Sequence, residues 1–297
     1  MKIGALPIIY IKKRLERIIR RARKGFKVDE NLKVKFNIPY INDGNDYHKI
    51  DVYYATKKKK NRCIIDIHGG AYLFGNRLNN YHFAKFFLEK GFDVITVDYI
   101  PNINKRGTMD IVNDVATALE YVASHLKELD LENDDFVMCG DSAGGHLALL
   151  FTEMINDDKY RRTVTTRQFN LPVKALLLNC PVYDYLHLGE DSLLKTGQRY
   201  MFGPNYQDKI ERALIDPRTH IESLSTPLFL STCRNDFIRK ESLTLHDDLE
   251  KNNYSHTFID IDSSNKKVGH VHNIMDMTLE ESKIINNAMI DFVNSTR

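Results

Sequence analysis

The sequence predicts an α/β fold with a mostly parallel central sheet and helices on both faces of that sheet. Two observations support this prediction. From residue 62 onwards, short runs rich in Val, Ile and Leu alternate with helix-like segments, beginning with RCIIDIH and NNYHFAKFFLEK. These runs are apolar almost without interruption, which is typical of strands buried on both faces of a sheet. A chain of 297 residues fits a single domain of this class, spanning 1–297.

The individual elements follow from the local patterns. NLKVKFNIPY and HKIDVYYA alternate apolar and polar residues, which predicts two half-buried strands. The KKKK run at 57–60, between the second of these and CIIDIH, is predicted to be an exposed hairpin tip. Further strands are predicted in FDVITVDY, DFVMCG, VKALLLNCPV, TPLFLSTC and HTFIDID, and further helices in TMDIVNDVATALEYVASHLKEL and SAGGHLALLFTEM. Residues 183–225 lack this alternation and are predicted to form an insertion.

The positive charge is concentrated in one segment. The net charge is +2, and residues 1–27 contain ten Lys or Arg and one Glu, or +9, which leaves about −7 for the rest of the chain. We therefore expect no nucleic-acid partner. In the basic segment, IIYIKKRLERIIRRARK places isoleucines and a leucine along one face of a predicted helix.

The sequence also indicates a compartment. No run reaches the eighteen or so apolar residues of a membrane span. The first 27 residues do not resemble a secretory signal, because Pro7 breaks the apolar stretch and the basic cluster follows it. All four cysteines lie in or at the end of apolar runs, so we expect buried free thiols and a cytoplasmic protein. They are Cys63, Cys139, Cys180 and Cys233.

Ser142 is the first candidate for a catalytic residue. It lies in GDSAG, between the apolar run FVMCG and a predicted helix, and this is the GxSxG pattern of a nucleophile elbow. The flanking glycines are needed because a Cβ on either side of so sharp a turn would collide with neighbouring backbone. The turn exposes the serine hydroxyl and directs the Ala143 amide, at a helix N-terminus, towards negative charge formed beside it.

A second glycine pair supports this interpretation. DIHGGAYLFG follows the strand CIIDI, and Gly69 and Gly70 are predicted to supply the remaining amides of an oxyanion hole. His68, at the end of that strand, is expected to orient the loop through a hydrogen bond.

HGGA and GDSAGG, in this order and at this separation, resemble the hormone-sensitive-lipase-like esterases of the α/β-hydrolase superfamily. The resemblance extends from about residue 32 to the end of the chain and implies an α/β-hydrolase fold with a small cap. It departs from the group's usual pattern where Ala71 replaces a third glycine, and after VDY, where the chain reads IPNINKRG.

The fold places the acid and the base of the triad after late strands. Asp236, in the loop after TPLFLSTC, is the predicted acid, and the resemblance selects the same residue; Asp184 is the alternative. His270, the first histidine after the last strand, is the predicted base in preference to His272. His146 is expected to be a packing residue of the helix after Ser142. Because no third ligand lies near the HVH sequence, we expect no metal.

The cap is expected to have two parts, 1–30 and 183–225. Its first part is a helix over the active-site mouth, which the resembling group also has. An alternative role for this helix is weak contact with an anionic membrane surface. The oligomeric state is not indicated by the sequence.

Together these patterns predict a serine carboxylesterase that hydrolyses small or short-chain acyl esters without a cofactor. The same triad would serve an arylformamidase-like amidohydrolase or a sugar-ester deacetylase. A non-catalytic binding protein on a hydrolase scaffold is the remaining alternative, but this chain keeps a candidate residue for every catalytic role.

Overall fold

The computed structural model describes residues 29–57, 62–102, 106–131, 135–188 and 198–296. In these residues it confirms the predicted α/β architecture, with one eight-stranded sheet in the order β1-β2-β4-β3-β5-β6-β7-β8. The strands are β1 Lys33–Pro39, β2 Lys49–Tyr54, β3 Arg62–Ile67, β4 Asp93–Val97, β5 Asp135–Asp141, β6 Val173–Asn179, β7 Leu228–Cys233 and β8 His256–Ile261.

The helices of the described residues mostly connect these strands. They are α1 Tyr81–Glu89, α2 Thr108–Ser124, α3 Ala143–Asn156, α4 Asp158–Val164, α5 Gln198–Phe202, α6 Lys209–Leu214, α7 Arg239–Lys251, α8 His272–Met275 and α9 Glu280–Ser295. Two short 3-10 helices, Pro217–Thr219 and Ile221–Ser223, precede β7. None of the helices in this part of the chain is long and apolar enough to cross a bilayer.

Helices cover both faces of the sheet, as the apolar strand patterns predicted. The side chains of α1 and α9 pack in one apolar cluster and those of α2, α3 and α7 in another. Adjacent residues of β3 belong to different clusters. Ile64 lies in the cluster of α1 and α9, and Ile65 lies in the cluster of α2, α3 and α7. Because successive side chains of a strand point to opposite faces, a strand covered on both sides must be apolar at nearly every position.

The topology corrects two predictions about the first strands. β2 does not form a hairpin with β3, because β4 lies between them and pairs with β2 antiparallel and with β3 parallel. The KKKK run therefore does not connect paired strands, and most of it lies outside the described residues. β2 is also buried on both faces instead of one, with Tyr53 and Tyr54 in opposite apolar clusters.

The carboxyl ends of the parallel strands carry the loops in which the candidate residues lie. β3 to β8 run parallel in the order β4-β3-β5-β6-β7-β8. The insertion predicted at 183–225 lies between β6 and β7 and contains α5, α6 and the two 3-10 helices. Of the N-terminal cap helix predicted at 1–30, residues 1–28 lie outside the described residues.

Candidate active site

Ser142 lies at a sharp turn between β5, which ends at Asp141, and α3, which begins at Ala143. Its backbone has φ 53° and ψ −119°, a strained conformation for a residue with a side chain. A Cβ on Gly140 would lie 2.3 Å from the Gly144 carbonyl oxygen, and a Cβ on Gly144 would lie 2.0 Å from the Ile67 carbonyl oxygen. Both glycines are therefore required for the turn, as the elbow pattern predicted.

The predicted acid and base are paired. Asp236 follows β7, His270 follows β8, and the His270 Nδ1 atom lies 2.7 Å from Asp236 Oδ1. The Asp236 carboxylate also accepts hydrogen bonds of 3.0 Å from the Ile238 amide and of 3.0 Å from the Thr232 hydroxyl. Because the Nδ1–H group donates a hydrogen bond to the carboxylate, the other ring nitrogen, Nε2, carries no proton and is the basic nitrogen of the ring.

The environment keeps Asp236 ionised. Burial of its carboxyl group would raise the pKa, but the interactions with His270 and the Ile238 amide hold the pKa below its ordinary value. The carboxylate is therefore available to hold His270 in one tautomer and one orientation at neutral pH.

The loop of the base lies close to the elbow. The Val182 amide donates to the Ser142 carbonyl oxygen at 3.1 Å, and the Val271 amide donates to Cys180 Sγ at 3.4 Å. These contacts connect the residues after β6 with the elbow on one side and with the His270 loop on the other. Ser142, Asp236 and His270 thus follow the carboxyl ends of strands in one parallel sheet, at the same edge.

The alternative acid and base have other partners. His272 is buried, its Nδ1 lies 3.1 Å from the Gly269 carbonyl oxygen, and burial lowers the pKa of its ring. Asp184 pairs with Arg218 and His187. The structure therefore brings neither His272 nor Asp184 into the pairing that joins His270 to Asp236.

The oxyanion prediction needs a correction at Gly69. Its amide donates a 3.0 Å hydrogen bond to Asp141 Oδ1, so it is not available to a substrate. The amides of Gly70 and Ala71 have no acceptor among the described residues. Gly70 has φ +132° and no room for a Cβ, which would lie 2.0 Å from the Phe74 carbonyl oxygen. The Ala143 amide lies in the first turn of α3, where amides lack intrahelical acceptors.

Ala71 is a candidate amide donor that the sequence interpretation did not assign. Its φ of 53° places it, like Gly70, in a left-handed conformation. The sequence signal for Ala71 is its position directly after Gly69 and Gly70, the two residues that were assigned as amide donors. The partner that occupies Gly69 comes from β5, 72 residues further along the chain, and no local pattern indicates it.

The other two histidines named from the sequence have structural contacts. His68 Nδ1 lies 2.7 Å from the Gly69 carbonyl oxygen, and its ring stacks on Tyr99, so it orients the oxyanion loop as expected. His146 Nε2 lies 2.6 Å from the Ile215 carbonyl oxygen, and its ring stacks on Tyr185. His146 is therefore the packing residue that the sequence suggested.

Two groups of side chains in the described residues have the composition of a metal site. The first is Cys180, Asp236 and His270, in which the acid and the base already bind each other. In the second, His246 Nδ1 and His256 Nε2 are 2.7 Å apart, with Glu250 nearby. This is a hydrogen-bond distance, and two nitrogens bound at about 2.0–2.1 Å to one tetrahedral zinc ion lie about 3.3 Å apart. Neither group has the geometry of a formed metal site.

Known proteins resemble the chain along most of its length. Esterase B from Lactobacillus rhamnosis, in a structure described as C6-C4 SN3 inhibited, is 20% identical; the match covers 98% of this chain and 95% of that one, with a TM-score of 0.84. A hyperthermophilic esterase from the archaeon Pyrobaculum calidifontis is 18% identical over 99% of this chain and 94% of that one, with a TM-score of 0.68. These likenesses confirm the α/β-hydrolase fold.

A curated relative and a family model complete the comparison. The probable carboxylic ester hydrolase LipM of Mycobacterium tuberculosis is 27% identical over 179 residues. The match covers 58% of this chain but only 41% of that protein. The family model of BD-FAE matches residues 50–249, about two thirds of the sequence. The chain belongs to the BD-FAE family.

Proposed function

We propose that the chain is a serine carboxylesterase that hydrolyses small or short-chain acyl esters, with Ser142 as nucleophile, His270 as base and Asp236 as acid. The observation that carries this proposal is the 2.7 Å hydrogen bond between His270 and Asp236, at the sheet edge where Ser142 occupies its strained turn. A serine hydroxyl, an imidazole that can take its proton and a buried carboxylate that orients the imidazole are the catalytic groups of acyl transfer.

The first step forms an acyl-enzyme. His270 Nε2 takes the Ser142 proton as the hydroxyl attacks the ester carbonyl carbon. The Asp236 carboxylate stabilises the imidazolium, which carries the new charge beside it. The proton then passes from His270 to the departing alcohol, and the acyl group remains on Ser142.

The second step regenerates the serine. Water attacks the carbonyl carbon of the acyl-enzyme while His270 accepts a proton of that water. His270 then returns this proton to the Ser142 oxygen as the bond between that oxygen and the acyl carbon breaks, and the carboxylic acid leaves. In both steps the carbonyl oxygen becomes negatively charged, and the amides of Gly70, Ala71 and Ala143 stabilise it by donating hydrogen bonds.

The insertion serves as the cap of this site. Tyr72, directly after the oxyanion loop, makes edge-to-face ring contacts with Tyr185 and Phe202, which belong to the insertion. His146 connects α3 to the same segment through Ile215. The described residues of this segment, 183–188 and 198–225, thus pack beside the predicted oxyanion donors, where they can shape the pocket for the acyl or the alcohol group. The N-terminal segment would supply the second part of the cap.

Two further observations fit the proposal. The relatives and solved neighbours named above are called esterases or ester hydrolases. The four cysteines are buried and form no disulfide, as in proteins of a reducing compartment, which supports a cytoplasmic enzyme.

A substrate panel tests the proposal. The purified chain is assayed with p-nitrophenyl acetate, butyrate and octanoate, an N-formyl aryl amine and an acetylated sugar. We expect the highest kcat/KM for the acetate or butyrate ester, and no turnover by Ser142→Ala. Preference for the formyl amide or the acetylated sugar would replace the carboxylesterase with one of the two related hydrolases. No turnover of any compound would support the binding protein instead.

A further inference from the structure

Two carboxyl groups are buried together beneath the oxyanion loop. Asp66 is the second-last residue of β3, and Asp141 is the last residue of β5. Asn80, directly before α1, lies between them. The exposed fractions of Asp66, Asn80 and Asp141 are 3%, 1% and 4%. None of the three takes part in the proton transfers described above.

One amide nitrogen joins the two acids. Asn80 Nδ2 lies 2.8 Å from Asp141 Oδ1 and 3.1 Å from Asp66 Oδ2. The same Asp141 oxygen accepts the Gly69 amide at 3.0 Å. Asp66 is therefore connected, through Asn80 and Asp141, to the first residue of the oxyanion loop. Asp141 is in turn bonded along the chain to Ser142.

The two acids disfavour each other's ionisation. Burial, and then the charge of Asp141, raise the pKa of Asp66 to about 7. The remaining groups that face it are Cys139 of β5 and His68 of the loop after β3, together with Asn80, and all three act in the opposite direction. Burial also raises the pKa of Asp141, but the Asn80 and Gly69 donors oppose this effect.

We propose that Asp66 is a positioning residue for the oxyanion loop, and that its ionisation limits activity at alkaline pH. The inference rests on the proposed esterase function. With Asp66 neutral, Asn80 and the Gly69 amide both hold a single carboxylate, that of Asp141. When Asp66 loses its proton to solvent, two buried carboxylates share the two hydrogens of the Asn80 amide nitrogen and repel each other. The added negative charge near the loop also opposes the negative oxygen of the transition state.

The test compares the pH profiles of the wild type and of Asp66→Asn. The asparagine has the shape of the neutral acid but cannot ionise. Hydrolysis of p-nitrophenyl acetate is followed by pH-stat between about pH 6 and about pH 9, with spontaneous hydrolysis subtracted. We expect kcat of the wild type to fall by about tenfold relative to that of Asp66→Asn above neutral pH, with KM unchanged. Asp130→Asn, at an exposed acid paired with Lys35, is the matched control and should follow the wild type.

Profiles of the same shape for the wild type and Asp66→Asn would overturn the inference. A wild type that hydrolyses no ester would instead overturn the proposed function, so the two failures are distinguishable. If Asp66→Asn does not fold, the infrared spectrum of wild-type protein carrying carboxyl-¹³C aspartate decides the question. A protonated carboxyl band that disappears as the pH rises through about 7 supports the inference, and its absence below that pH overturns it.

Discussion

At the scale of single residues, the choice of His270 as the proposed base depends on a difference between two neighbouring histidines. His270 lies beside Asp236, and 12% of its side chain is exposed. His272, two residues later, begins α8 and is buried, with its Nδ1 directed to the Gly269 carbonyl oxygen. Because Val271 between them adopts a left-handed conformation, with φ 50°, the chain turns sharply here and the two rings have different surroundings.

This difference predicts separable effects of substitution. His270→Ala removes the proton acceptor, so kcat for p-nitrophenyl acetate should fall by at least about 1,000-fold. His272→Ala removes a buried ring but no reacting group, so kcat should change by less than about tenfold. Steady-state kinetics of both variants, with folding checked by circular dichroism, measures the two effects. The opposite order of effects would assign the base to His272.

Prediction of single residues from the sequence succeeded where the residue types of a short motif are themselves required by the local backbone conformation. The glycines around Ser142 predicted the turn, and the structure has no space for a Cβ on Gly140 or Gly144. The Gly69 assignment was wrong because the Asp141 side chain that takes its amide lies on another strand. Asp66 and Asn80 escaped notice for the same reason, since only the folded chain brings them together.

At the scale of secondary-structure elements, His146 connects α3 to the insertion. Its ring is fully buried, and its Nε2 atom lies 2.6 Å from the Ile215 carbonyl oxygen. Burial lowers the pKa of this histidine to about 4. The folded protein therefore keeps the ring neutral, whereas the unfolded chain binds a proton below about pH 6.5. Wild-type stability from this group is complete above that pH and is lost as the pH falls towards 4.

His146→Phe tests this contribution. At pH 7 the phenylalanine can stack on Tyr185 but leaves the Ile215 carbonyl oxygen without its donor, so the free energy of unfolding should fall by about 1–3 kcal/mol. The difference from the wild type should shrink by up to about 3 kcal/mol as the pH decreases from about 6.5 to about 4. Urea unfolding at a series of pH values measures it. A difference that stays constant with pH would show that this ring does not titrate as described.

The strand order shows what local patterns omit. Each strand from β3 to β8 was predicted from its apolar run. For β3 to β7, burial on both faces leaves this mark in the sequence, whereas β8 lies at the edge of the sheet and is only half-buried. The pairing of β2 with β4 instead of β3 leaves no such mark, since it depends on how the chain crosses the sheet. For the same reason the lysines at 57–60 were wrongly predicted to form a hairpin tip.

At the scale of the whole molecule, the folded core shields the four cysteine thiols from solvent and from thiol reagents. Cys63, Cys139, Cys180 and Cys233 are all buried, and none of them forms a disulfide. We therefore expect no thiol to react with Ellman's reagent on mixing with the native protein, and all four to react in denaturant. The melting temperature should be the same with and without a reducing agent. A loss of stability on reduction would instead reveal a disulfide.

The account as a whole depends on one nucleophile. An organophosphonate that resembles an ester should attach to Ser142 because, in the proposed mechanism, His270 activates that hydroxyl and the loop amides stabilise the resulting oxygen charge. The most direct measurement is mass spectrometry of the labelled, digested protein. We predict one adduct, on the peptide that contains Ser142, and none in Ser142→Ala. An adduct on a different residue, or ester hydrolysis by Ser142→Ala at the wild-type rate, would contradict the account.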